Sequence, residues 1–441
     1  MTSVFEIIGP VMVGPSSSHT AGMARIGAVA NKLFGDTPEK ITLTFSHGMR
    51  KTYQGHKSDA AVIGGILGMG EASPTLKTSI ESANKQGIEI KIDFFDESYP
   101  PNTVLIELSK GNKNFSIEGV SVGGGSIAIN KINDEATDYT PELSYGATVC
   151  DDMKISHIKD AINLCKEKNL TLSDLAIEYE SKRSGFSKEK IRSIMEEQLA
   201  VMKKSISAGI GGNNPMLYGL TGGNDAKKLS DKTATISGGL VPKAVSYAFA
   251  VMEHNASMGI IVAAPTAGSA GIVPGCLLTL QEKYSFSDDE LCDALFCAAI
   301  FGVIMAHRGV SFSGSVGGCQ GEVGVSSAIA SAAIVSLFDK SAEVQSQAMA
   351  MCMKNMLGLV CDPIAGPIEV PCIKRNALGV ANAFISADMA TAGIESYIPP
   401  DEVIDALIDV QKRIPKELKC TVCGGLACTK TAKNLREKLG Q

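Results

Sequence analysis

The sequence has no tryptophan, and aromatic residues make up only 5% of its 441 positions. So small a supply of flat rings argues against a platform for stacking bases. It also lacks a basic block, and the formal net charge is −6. Neither nucleic acid nor an anionic membrane surface is therefore expected as a partner. Met1-Thr2-Ser3-Val4-Phe5-Glu6 lacks a basic n-region and soon meets a Gly-Pro break, so no secretory signal is expected. The longest apolar run, Leu295 to Ala306, is too short to span a bilayer and fits a buried helix better. No histidine follows His307, so a zinc site with a histidine ligand is not expected in the C-terminal region. Twelve cysteines spread over a chain this long do not make a disulfide framework. A reducing cytoplasm, with thiols free to hold metal, is the expected location.

What is present is an ordinary soluble balance, 44% hydrophobic and 20% charged, with 45 glycines. The length predicts two domains. The N-terminal third reads as mixed α and β. A helix is expected from Met23 towards Leu33. Strands are expected where Ile41, Leu43 and Phe45, then Ile88, Ile90, Ile92 and Phe94, then Val104, Ile106 and Leu108 alternate with polar residues. An alanine- and glycine-rich helix is expected after Gly55-His56-Lys57-Ser58-Asp59, through Met69. Asn130 to Asp152 is polar and weakly periodic, and reads as the domain connection. Helix signals dominate beyond it. Thr171 to Asp174 and Ser287 to Glu290 form capping boxes ahead of apolar runs. Val403, Leu407, Val410 and Ile414 mark one face of a helix between Pro399-Pro400 and Pro415.

Three cysteines sit in turn-like surroundings rich in glycine or proline: Cys319 in Gly-Gly-Cys-Gln-Gly-Glu, Cys361 in Val-Cys-Asp-Pro and Cys372 in Val-Pro-Cys-Ile-Lys-Arg-Asn. Such backbone can approach an inorganic group closely. Three thiolates on a cubane iron–sulfur cluster leave one iron without a protein ligand, and an open iron is a Lewis acid. Core packing is the competing reading for scattered thiols. Two further loops carry histidines beside helix starts, Gly14-Pro15-Ser16-Ser17-Ser18-His19-Thr20 and Gly55-His56-Lys57. Hydroxyls and N–H groups at a helix start suit a carboxylate, and His56 suits acid/base work, although a capped helix and a satisfied histidine explain them equally. His47 and His307 read as structural. Cys420, Cys423 and Cys428 form a C-x2-C-x4-C cluster, read either as a metal site or as plain thiols. Cys150, Cys165, Cys276, Cys292, Cys297 and Cys352 lack ligand spacing and read as packing residues.

Taken together, Gly14 to Gly22, Leu220-Thr221-Gly222-Gly223, Pro265 to Gly271, Gly317-Gly318-Cys319-Gln320 and Cys361 through Asn376 resemble the iron–sulfur-dependent L-serine dehydratases, nearly end to end. The order resembles a fused form, β part before α part. The resemblance implies a multidomain α and β fold. Residues 1–140 would form an α/β domain of the allosteric-substrate-binding type, and residues 155–441 a mostly α-helical catalytic domain. It implies L-serine ammonia-lyase activity in serine catabolism, giving pyruvate and ammonia, in a cytoplasmic homodimer. It also implies a [4Fe–4S] cluster on Cys319, Cys361 and Cys372, with His19 and His56 in acid/base roles. Ser16, Ser17, Ser18, Asn102, Thr266 and Ser269 would surround the substrate.

Three departures from the family pattern stand out. Many relatives carry a histidine before Pro-Asn-Thr, where this chain has proline in Tyr99-Pro100-Pro101-Asn102-Thr103. Some relatives end in a cysteine, whereas the last residues here are Leu439-Gly440-Gln441. Cys420 and Cys423 stand where non-cysteine residues are expected. Competing readings are a β-elimination on L-cysteine or L-threonine at the same site, an electron carrier, and a pyridoxal-phosphate enzyme. An electron carrier would normally have every iron ligated by protein. A pyridoxal enzyme needs a Schiff-base lysine, and neither Lys57 nor Lys243 has that setting.

Overall fold

Period-two alternation and helical periodicity each dominate a different part of the chain, and the fold follows. A computed structural model describes every residue except 51, 138, 140–144, 147, 150–154, 213, 365–368, 422 and 440–441. The N-terminal region is mixed sheet and helix, and the C-terminal region is mostly helical, as expected. Among the described residues the strands are β1 (Val11–Val13), β2 (Lys40–Phe45), β3 (Glu89–Phe94), β4 (Thr103–Lys110), β5 (Lys113–Gly123), β6 (Ser126–Ile132), β7 (Glu135–Ala136) and β8 (Ile260–Val262).

Six of them form one sheet in the order β3-β2-β4-β5-β6-β7. Only β2 and β3 pair in parallel. A parallel pair needs a crossover, and helices Ser58–Ile66 and Ser79–Lys85 lie in it. Ile41, Leu43 and Phe45 point into the core, while Thr42 and Thr44 are half-buried. Helices Gly22–Phe34 and Ser58–Ile66 cover that core face and touch backbone to backbone. A Cβ on Gly27 would lie 2.2 Å from the Val62 carbonyl oxygen, and one on Gly65 would lie 2.1 Å from that of Ala24.

In the C-terminal region, helix Val325–Phe338 is buried along its length apart from Phe338. Its Ala and Ser side chains let helices Asp288–His307, Ala342–Lys354 and Cys372–Thr391 pack closely around it. Both expected capping boxes form, at Thr171/Asp174 and Ser287/Glu290. The helix between the prolines runs Pro400–Arg413. Asp288–His307 and Gln320–Phe338 are long and apolar enough to cross a membrane by length and composition alone. The most apolar windows of these two helices are 78% and 89% buried inside the protein, so they are core helices here.

Three features depart from the sequence reading. β5 had no strand signature, because Gly119 breaks its alternation. That glycine is required, since a Cβ there would lie 2.7 Å from Ile26 Cγ2. The expected connection, Asn130 to Asp152, begins inside β6 and includes β7, and much of its remainder lies outside the described residues. Finally, the first residues leave the sheet region. Phe5, Ile7, Ile8 and Met12 are fully buried in the helical core, and β1 pairs antiparallel with β8. The buried Glu180 carboxylate anchors this arm by accepting from Ser3 Oγ and Val4 N–H, each at 3.0 Å, and is itself paired with Arg183 at 2.6 Å.

Candidate functional site

The three cysteines fall within a span of 53 positions, Cys319 to Cys372, but reach the site from different elements. Cys319 precedes a short π-helical turn, Gln320–Gly324; Cys361 lies in an extended stretch; Cys372 opens helix Cys372–Thr391. All three line one cavity, and they are 2%, 3% and 9% exposed. The Cys361 thiol hydrogen-bonds with Cys319 and Cys420, and these contacts, with burial, push it well above the ordinary thiol range. Cys372 is pushed the same way, by burial and then by the neighbouring Cys319, Glu322 and Cys420. The sulfurs of Cys319 and Cys361 and a carboxylate oxygen of Glu322 lie within 4.8 Å of one another.

So many potential anions cannot ionise together without a cation among them. Arg375 supplies one positive charge. It donates from Nη1 to Cys319 Sγ at 3.4 Å and from Nη2 to Asp362 Oδ1 at 2.7 Å. The remaining crowding fits a positively charged metal group bound by sulfur. Glu322 was not singled out from the sequence, nor was Arg375. Each lies three residues after a site cysteine, and that spacing was the available signal. Shielding from water pushes the Glu322 carboxyl up to about 7, against a hydrogen bond with Thr266 and the pull of Arg375.

The opposite wall comes from the sheet region. Ser16, Ser18, His19 and His56 line the same cavity. His19 sits in a π-helical turn, Ser17–Ala21, whose cap is Ser16: its hydroxyl accepts from the His19 N–H at 3.1 Å and lies 3.2 Å from Nδ1. The His19 and His56 rings stack at 4.6 Å between centroids. Thr20 Oγ1 donates to the His56 carbonyl at 2.7 Å and ties the two loops together. Burial lowers His19 to about 4, opposed by a hydrogen bond with Asn102. Burial, then the neighbouring His19, lowers His56 well below its usual value. Both rings are therefore neutral at pH 7, and His56 Nδ1 is buried without a hydrogen-bond partner.

The other expected substrate residues divide. Asn102 is buried beside His19, with Nδ2 donating to Ser315 Oγ at 3.1 Å. Ser17 is buried but does not line the cavity. Thr266 faces Glu322, and the Ser269 hydroxyl is 3.1 Å from that of Thr266 and 3.2 Å from the Ala264 carbonyl, within its own turn. Gly268 is the member of that loop at the cavity. Cys420 also lines it, whereas Cys423 and Cys428 are exposed and do not. Cys165, Cys276, Cys292, Cys297 and Cys352 are buried, and Cys150 lies outside the described residues. Lys243 is engaged with Glu282 in an exposed ion pair.

The family profile described as serine dehydratase alpha chain matches residues 167–427. The chain belongs to the serine dehydratase family. It is 46% identical to the probable L-serine dehydratase alpha chain of Bacillus subtilis (strain 168) over 286 residues, 64% of this chain and 94% of the relative. It is 47% identical to the probable beta chain of the same organism over 133 residues, 30% of this chain and 60% of that protein. It is 29% identical to L-serine dehydratase 2 of Escherichia coli (strain K12) over 462 aligned positions, 97% of this chain and 98% of that one. The serine dehydratase profile thus covers the thiols, while His19 and His56 lie outside the residues it matches.

Proposed function

We propose that the chain is an L-serine dehydratase, an L-serine ammonia-lyase that converts L-serine to pyruvate and ammonia. The observation that carries this reading is one cavity with three buried thiols on one wall and two neutral, stacked imidazoles on the other. Cys319, Cys361 and Cys372 would hold a [4Fe–4S] cluster. When bound, such a cluster supplies a Lewis-acidic iron for the substrate hydroxyl, a poor leaving group on its own. His19 and His56 are kept neutral by burial, so either can accept the Cα proton at pH 7. Ser16 and Ser18 offer hydroxyls to the carboxylate, and Asn102 holds the His19 ring. Loss of the Cα proton and hydroxide leaves aminoacrylate, which tautomerises and hydrolyses in water. We place the enzyme in the cytoplasm as a homodimer.

The test is anaerobic purification with iron and sulfide counts, and pyruvate assays on L-serine, L-threonine and L-cysteine. About four irons and four sulfides per chain are expected. L-Serine should be turned over fastest, with activity lost in air and recovered on iron reconstitution. Full activity in metal-free protein overturns the reading.

A further inference from the structure

The cavity holds a fourth thiol that the proposed cluster does not need. Cys420 lies against Cys361 because the backbone places it there. Cys361 N–H donates to the Leu418 carbonyl at 2.9 Å, and Cys420 N–H donates back to the Cys361 carbonyl at 2.7 Å. This pins a parallel bridge between Cys361 and Lys419. Cys420 itself has φ +55, a left-handed conformation that costs a side-chain-bearing residue about 1 kcal/mol. Its side chain meets the Cys361 thiol in a hydrogen bond. Among the four thiols lining the cavity, Cys420 alone is not fully buried.

We propose that Cys361 and Cys420 form a reversible disulfide when the metal group is absent, shielding a ligand cysteine from irreversible oxidation. A peroxide is the oxidant. It reaches the more exposed Cys420 first and converts its thiol to a sulfenic acid, releasing water. The Cys361 sulfur then attacks the Cys420 sulfur; the S–O bond breaks, and hydroxide leaves with the thiol proton as a second water. A small dithiol reverses the reaction and is itself oxidised. Cys319 is the other neighbour of Cys361, but Arg375 holds its sulfur and it is 2% exposed. Cys423 stands three positions from Cys420 but is exposed and outside the cavity.

The inference rests on the cluster reading for its purpose but not for its chemistry. The test uses the full chain after removal of iron. One equivalent of hydrogen peroxide should consume two thiols, and peptide mapping should find Cys361 joined to Cys420. Dithiothreitol should restore both thiols and the capacity to take up iron and sulfide. In Cys420→Ala, where no disulfide can intercept the sulfenic acid, a second equivalent of peroxide should take Cys361 on to sulfinic acid, beyond recovery by dithiothreitol. The parent given the same two equivalents, and Cys423→Ala likewise, should still recover Cys361. A link from Cys361 to Cys319, or from Cys420 to Cys423, overturns the proposal. So does full recovery of Cys361 in Cys420→Ala. Disulfide formation in a chain that never takes up iron would leave this chemistry standing and remove the cluster reading instead.

Discussion

The two walls of the cavity solve opposite electrostatic problems. The sheet region brings two imidazoles together and, by burying them, holds both uncharged. The helical region brings thiols and a carboxyl together, and pairs them with one guanidinium at Arg375. One wall is therefore uncharged, whereas the other is short of positive charge. Under the proposed function, metal binding and proton transfer would be built on separate parts of the chain and could be broken separately.

The largest effect should come from the sulfur wall. Cys361→Ser should reduce iron in the purified protein from about four per chain to near none, with pyruvate formation lost along with it. Retained iron in that variant would erase the distinction between the walls. Next, His56→Gln should keep its iron while kcat falls by about 10²–10⁴-fold, the usual weight of a general base. Iron loss in parallel would show that the imidazoles serve the metal instead. Third, Phe5→Ala should destabilise the protein by roughly 3–5 kcal/mol in denaturant titration, since it empties a fully buried site. Loosening should appear first in the helical region, where Phe5 packs, although its sequence neighbours include the sheet region.

The smallest effect concerns pH. A histidine with a lowered pKa in the folded state binds its proton more readily when unfolded. Stability from His19 is therefore complete above about 6.5 and is lost as pH falls towards about 4. Metal-free protein should lose stability with a slope on the order of 1 kcal/mol per pH unit in that window. His19→Gln should flatten the slope. An unchanged slope would mean that the histidine wall is not held neutral by burial.

Much of this was legible locally. β2 and β4 announced themselves because one face is fully buried and the other is mostly half-buried and largely polar, which writes a period of two into the sequence. The capping boxes at Thr171 and Ser287 are self-contained over four residues. The cysteine loops carried enough glycine and proline to suggest a site. Long-range features were not legible. Gly119 looks like a strand breaker until Ile26 is seen above it. Nothing near Val11 indicates a partner at Val262. Glu322 and Arg375 gain their meaning only when Cys319, Cys361 and Cys372 meet, and His19 gains its low pKa only when the walls close over it.

The pairing of β1 with β8 has a consequence for synthesis. Val11 leaves the ribosome roughly 250 residues before Val262, the partner it needs, and closing so long a loop carries an entropic cost. Meanwhile Phe5, Ile7 and Ile8 have no helical core to enter, and this greasy segment is open to chaperones or to a neighbouring nascent chain. The order of manufacture thus runs against the order of assembly, and slowing translation should lengthen the interval in which the chain can go astray.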